Sequence, residues 1–411
     1  MSSFVGLPLI SLLGSLAILP AVASAGGARG WAAVALGQAL GGGAATVLQY
    51  GWGFVGPTRL LTLSPLDRGR LLWVSMLSRL LVGALLLPAA AAAAAVLAPD
   101  GYRLLAALTA LALGTTGLSA LWFFVGKGQP GSAARYETVP RVVVLLAAAA
   151  VVLLTQDAIW YPVLFLGGQV LATGWLTCRL GVVSLGRTTW AAAVRVLREQ
   201  RAAAGTDVVF AVILAVPTSL LAAVAPGAVA TFAAGERVQI LAKSGIQPVF
   251  NAFQGWVSEA PAEAAARMRL AVGATSACGA LGGLVFAVGL PVVDDALFAG
   301  EVSVGHGVSV FLGLSLALYA LTSSITFTVL APAGLTGAIF RSTAVGALVV
   351  VVGIAILSPL FGAVGGAVSV AVAQAAALVA QIPACRRVLR GGGRPAARSA
   401  DDSPPVVSAV A

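Results

Sequence analysis

Leu80–Leu97 reads LLVGALLLPAAAAAAAVL and carries no charged or hydrogen-bonding side chain. As a helix it covers roughly 27 Å at 1.5 Å per residue, close to the hydrocarbon thickness of a bilayer. A segment with nothing to offer water reads as most of a membrane-spanning helix. The rest of the chain agrees. Of 411 residues, 59% are hydrophobic and only 9% are charged, and the mean hydropathy is +1.00. An ordinary soluble domain carries roughly 25% charged residues to cover its surface. Here the apolar excess must face lipid.

Apolar runs of spanning length fall at about 4–24, 31–54, 71–97, 103–125, 140–155, 160–182, 207–225, 228–255, 268–292, 307–331, 336–358 and 362–384. They predict an all-α membrane protein with about twelve transmembrane helices. Only Gln156-Asp157-Ala158-Ile159 separates the fifth and sixth, so a tight turn is expected there. Ala23-Ser24-Ala25 resembles a signal-peptidase site. However, no basic region precedes it and the apolar run is long, so this segment reads as the first spanning helix.

The net charge of +10 raises the question of nucleic acid. The cations sit in short loops between apolar runs, with no aromatic-interleaved basic patch, which excludes that class. They set orientation instead. With the N-terminus inside, the inner loops and tail hold nineteen Lys and Arg residues, and the outer loops hold only Arg29 and Arg103. The outer loops carry Asp100, Asp157, Asp294, Asp295 and Glu301. The positive-inside rule then places both termini in the cytoplasm. In this frame Trp31 and Trp160-Tyr161 mark the outer interface, and Trp73, Trp122 and Trp256 the inner one. The three cysteines, Cys178, Cys278 and Cys385, show neither metal nor disulfide spacing, and the lone His306 makes no metal site. No catalytic constellation and no cofactor motif is present.

The longest inner connection divides the chain into a six-helix bundle at 1–185, a linker at 186–206 and a second six-helix bundle at 207–390. A basic, polar tail at 391–411 is rich in Gly, Pro, Ser and Arg and is expected to be disordered. Within the linker, Trp190, Ala193, Val194 and Leu197 share a helical face opposite Arg195, Arg198 and Glu199. This reads either as an amphipathic helix in the inner leaflet or as a solvated connection. Two equal halves match transporters whose site lies between repeats near the midplane.

The eighth run is the anomaly. Glu236, Gln239, Lys243, Gln247, Asn251, Gln254 and Ser258 recur every three or four residues, within an arc of roughly 120°, with Arg237 beside them. A charge at mid-bilayer costs at least about 2.5–3.5 kcal/mol, so this stripe cannot face lipid. One reading is a cationic cavity wall for an anionic solute. The other is a structural ion pair of Glu236 with Lys243 or Arg237. Pro248 is expected to kink the helix. The second run offers Gln38 and Gln49 on a face shared with Gly41, Gly42, Ala45 and Trp52. Close packing accounts for the small residues but not for the amides. Arg79, two turns into the third run, is expected to snorkel.

Two local stretches resemble a known family. Tyr50-Gly51-Trp52-Gly53-Phe54-Val55-Gly56-Pro57-Thr58-Arg59 closes the second helix, and Leu121-Trp122-Phe123-Phe124-Val125-Gly126 closes the fourth. Both resemble the corresponding places in bacterial O-antigen and polysaccharide flippases, as do Arg135–Leu145 and Ala233–Glu259. Those flippases belong to the multidrug/oligosaccharidyl-lipid/polysaccharide exporter superfamily. The resemblance implies two bundles around a V-shaped cavity lined by helices one, two, seven and eight, working by alternating access. It also implies a polyprenyl-diphosphate-linked glycan as substrate and membrane lipid as partner. Coupling would be to an ion or proton gradient, with Glu236 or Asp207 as proton carrier. The cavity candidates read from the eighth and second runs are Lys243, Arg237, Glu236, Gln239, Gln247, Asn251, Gln38 and Gln49. The chain departs from the family in its alanine content and in a second half with few local motifs.

Three alternatives stay open. Leu66-Asp67-Arg68-Gly69-Arg70 sits where major-facilitator transporters carry a related motif, but it lacks the leading glycine and is one residue short. A drug exporter of the same superfamily would favour lone carboxylates over cations in the cavity. A membrane glycan polymerase or ligase would want a large outer loop with catalytic groups, and the largest one, near 292–307, has no arginine.

Overall fold

The computed structural model describes residues 6–61, 63–183, 186–258 and 263–390. The tail expected at 391–411 lies outside the described residues. The described chain is helical throughout: α1 (Gly6–Gln49), α2 (Trp52–Arg59), α3 (Pro65–Leu97), α4 (Arg103–Gly114), α5 (Leu121–Gly126), α6 (Pro130–Ala133), α7 (Val139–Thr155), α8 (Trp160–Leu180), α9 (Arg187–Glu199), α10 (Arg201–Val224), α11 (Val229–Ser258), α12 (Ala264–Phe298), α13 (His306–Ser324) and α14 (Thr336–Arg390).

Among the described residues nine helical spans are long and apolar enough to cross a membrane. Two of them cross twice. In α1 the backbone breaks at Gly27 (φ 60°, ψ −169°), and in α14 at Gly362 (φ 56°, ψ −132°). Only glycine enters these regions without a steric penalty, so each long helix folds into two arms there. Helix α11 is too polar to count by hydropathy and supplies the remaining crossing. The twelve runs read from the sequence are therefore all present. The tight turn between α7 and α8 is present too, with Gln156 in the left-handed region at φ 53°.

The first half of the chain packs α3, α4 and α7 on α1, with α8 against α4 and α7. The second half packs α10 to α14 on one another, and α1 reaches across to α10, α11 and α12. Small residues set these approaches. A Cβ on Gly37 or Gly41 would lie 2.5 Å from the carbonyl oxygens of Ala106 and Ala110, so α1 lies directly on the α4 backbone. Gly43 sits against Ala215 of α10 in the same way, and Gly283 of α12 against the Gly313 carbonyl of α13. Lipid tails are as apolar as leucine, so helices in a bilayer gain by such contact where hydrophobic burial gives little.

Helix α4 does not run on into α5. A 3-10 turn at Thr115–Leu118 interrupts it, which frees backbone groups inside the bundle. Arg79 answers that break rather than snorkelling. It is fully buried, and its guanidinium donates to the carbonyls of Ser75 (3.1 Å), Gly117 (3.0 Å) and Ser119 (2.8 Å). The Glu137 carboxylate accepts from Ser119 Oγ and from the Ala120 N–H, each at 2.5 Å, and so caps the start of α5. Unpaired backbone at this depth costs several kcal/mol per group, so two charges spent on it replace bonds water cannot supply.

Trp31 and Trp122 are not interfacial anchors either. Trp31 is buried against Phe298 of α12, and Trp122 lies within a core of Trp52, Phe123 and Phe124. Trp160 remains partly exposed while Tyr161 beside it is buried.

Candidate functional site

Helix α11 begins at Val229, so Glu236 and Arg237 lie roughly 11–12 Å along its axis and Lys243 roughly 21 Å. These depths fall well inside a hydrocarbon core of about 30 Å. The structure sorts the polar residues of this helix into two directions.

Most of the stripe turns toward its own half of the chain. Glu236 accepts a short hydrogen bond from Thr218 Oγ1 of α10. Gln239 is sealed, 1% exposed, and donates to the Leu312 carbonyl of α13 at 2.6 Å. Lys243 donates to Gln239 Oε1 at 2.7 Å, and its ammonium stands 5.2 Å from the centroid of the Tyr319 ring. Tyr319 in turn donates to Gln247 Oε1 at 3.3 Å. An ion pair of Glu236 with Lys243 or Arg237 is not formed among the described residues; those that form involve Arg59, Arg70, Arg103 and Arg267. Lys243 is thus held by an amide and a π face, both neutral.

Arg237 points the other way, toward the first half. Its guanidinium lies within electrostatic reach of Tyr161 of α8 and Arg141 of α7, and of Glu236 beside it on α11. Its Nε is buried without a hydrogen-bond partner among the described residues. Arg141, which positional bias alone assigns to an inner loop, is inside α7, with its guanidinium 5.7 Å from the Phe165 ring. Gln38, from the second arm of α1, donates to the Tyr161 hydroxyl at 3.1 Å. Glu137 is within reach of Arg141, but both its oxygens are engaged by α5. The two arginines thus lie within electrostatic reach of each other across the boundary between the halves; Glu236 is in reach of Arg237 and Glu137 of Arg141, but neither carboxylate forms an ion pair with them among the described residues.

Of the residues expected from the sequence, Lys243, Arg237, Glu236, Gln239, Gln247 and Gln38 come together around the middle of α11 and its neighbours. Glu236, Arg237, Lys243, Gln247 and Gln38 each keep part of their surface accessible. Gln49 does not join them: it is exposed at the end of α1. The side chains of Asn251 and Pro248 lie outside the described residues. Asp207 is elsewhere, near the start of α10, where it accepts the Gly51 N–H at 2.6 Å. Arg141, Tyr161 and Tyr319 were missed as site residues. Arg141 was hidden by its place near a loop, and the tyrosines by the ordinariness of aromatics in spanning helices.

No family model and no curated protein matches this sequence. Two solved structures do match in fold. One is described as the lipid II flippase MurJ in an inward closed conformation, with a TM-score of 0.70 and 11% identity over 94% of this chain and 88% of that one. The other is an inward-facing multidrug-resistance MATE family transporter of the MOP superfamily, with a TM-score of 0.63 and 14% identity over 96% of this chain and 99% of that one. The chain shares the fold of these two structures over nearly its whole length. In this fold α1 packs on α10 and α11, which sets the first two spanning segments against the seventh and eighth.

Proposed function

We propose that this protein carries a polyprenyl-diphosphate-linked oligosaccharide or polysaccharide precursor across the bacterial inner membrane by alternating access between its two bundles. The observation behind this reading is that Arg237 and Arg141, from opposite halves, lie within electrostatic reach of each other, with neither in an ion pair among the described residues. Like charges at depth repel, and an anion between them turns that repulsion into attraction on both sides. A diphosphate suits the role because each guanidinium can engage two of its oxygens. Lys243, deeper along α11, offers the next cationic position along the crossing. Gln38 and Gln247 offer amides to sugar hydroxyls, while the polyprenyl tail stays in lipid. The halves are the bundles at 1–185 and 207–390, joined by the amphipathic linker at 186–206. Both termini are placed in the cytoplasm by the distribution of Lys and Arg.

The test is translocation in liposomes of a fluorescent polyprenyl-diphosphate saccharide, followed by a membrane-impermeant quencher. Arg237→Ala and Lys243→Ala should each slow movement about tenfold or more, since a bond to a charged group is worth roughly 1.5–3 kcal/mol. Unchanged rates in both variants would sink the assignment. Export of cationic dyes without movement of the glycan lipid would favour the drug exporter, in which Glu236 is the binding group.

A further inference from the structure

Helix α9 follows α8 and precedes α10 at the end of the bundle where both spanning helices stop. It therefore sits at the level where hydrocarbon gives way to headgroups. One side of it is covered: Ala193 and Val196 are buried, Val196 within the cluster of Trp52, Trp122 and Phe124. Rotating by 100° per residue from that side brings up Leu197, Trp190 and Val194, with Arg187 and Arg198 along the far edge of that face and Arg201, the first residue of α10, just past the break at Gln200. Trp190 is 40% exposed and Val194 39%, so an indole and an isopropyl group are left without cover from the chain. Arg187, Arg198 and Arg201 are exposed, and none makes an ion pair among the described residues. The sole acidic residue of α9, Glu199, lies on the far side and is taken by Arg59 at 3.2 Å.

We propose that this face of α9, together with the start of α10, binds the headgroups of acidic phospholipids, with Trp190 and Val194 at the acyl boundary and the guanidinium groups of Arg187, Arg198 and Arg201 on phosphate oxygens. Charge complementarity selects this occupant. A guanidinium fork matches phosphate geometry, an indole is at home at the membrane interface, and three unpaired cations around it draw an anionic surface. Each such cation near an acidic leaflet is worth roughly fivefold in affinity. A zwitterionic surface accepts the same apolar insertion without that gain. The inference concerns a surface outside the interior cluster around α11 and stands whether or not a glycan lipid is the cargo.

The full chain is placed in nanodiscs of phosphatidylcholine containing a fixed fraction of either phosphatidylglycerol or phosphatidylcholine brominated on the acyl chain. The share of fluorescence belonging to Trp190 is taken from the difference between the chain and Trp190→Phe. That share should be quenched at least about twofold more by the brominated acidic lipid. The difference should vanish in the combined variant Arg187→Gln, Arg198→Gln, Arg201→Gln, and inorganic phosphate should leave it unchanged. Equal quenching by both lipids, a difference that survives the triple variant, or its loss on adding phosphate would each overturn the proposal. Absence of any Trp190 quenching would overturn it as well, leaving α9 a solvated connection. If the triple variant melts below the parent, Arg198→Gln alone is read in its place, and it must lower the preference measurably.

Discussion

The indole of Trp31 and the ring of Phe298 meet edge to face with 5.1 Å between their centroids, and they come from opposite halves of the chain. Trp31 lies just past the Gly27 break of α1, and Phe298 ends α12. Both are buried, at 1% and 0% exposure, and the Trp31 Nε1 has no hydrogen-bond partner among the described residues. Ring packing alone therefore holds this contact, which ties the halves together at the end carrying Asp294, Asp295 and Glu301. Removing Trp31 should open that end. In a chain whose native cysteines are replaced and which carries Gln38→Cys, Trp31→Ala should raise the rate of labelling by an impermeant thiol reagent applied from the acidic end severalfold. An unchanged rate would show that other contacts close it.

The two glycine breaks should resist substitution. Gly27→Ala and Gly362→Ala place a Cβ in backbone regions that cost on the order of 1–3 kcal/mol. Each should lower the melting temperature in detergent, whereas Gly167→Ala, with open space around it and an ordinary helical backbone, should not. Equal melting of all three would refute the hinge assignment.

Arg79→Lys should be nearly as damaging as Arg79→Gln. A lysine brings one ammonium where the guanidinium serves carbonyls on both α3 and the interrupted end of α4, and its reach and geometry differ. Breaking a buried charged network costs about 3–5 kcal/mol, so both variants should accumulate poorly and melt early. Normal thermal stability of Arg79→Lys would mean that charge, rather than the forked geometry, is what the site needs.

Tyr319 separates two contributions to the setting of Lys243. Tyr319→Phe keeps the ring 5.2 Å from the ammonium and loses the hydroxyl's bonds to Gln247 and Ser323, while Tyr319→Leu loses ring and hydroxyl together. If the π face holds the lysine in place, transport should fall severalfold more in Tyr319→Leu than in Tyr319→Phe. A cation–π contact away from water is worth up to about 2 kcal/mol. Equal loss in the two variants would assign the effect to the hydroxyl.

The sequence by itself determined the crossings. Twelve apolar runs, the turn at Gln156 and the polar character of 228–255 follow from what a bilayer permits each segment to expose, and that is a local constraint. It also marked Arg237, Lys243 and the amides of α11 as residues unable to face lipid. What they face instead depends on rotation and partner choice, which are set by distant segments. Only the tertiary structure turned Gln239 into its own half, set Lys243 on Tyr319, and brought Arg237 toward Arg141. It moved Trp31 from a membrane belt into a contact between halves, and Arg79 from a snorkelling side chain to the carbonyls of a broken helix. The reason is physical. Hydropathy reports whether a side chain tolerates hydrocarbon, whereas the pairing of buried charges is decided by which backbones can approach closely, and here glycines such as Gly37, Gly41 and Gly43 set that approach.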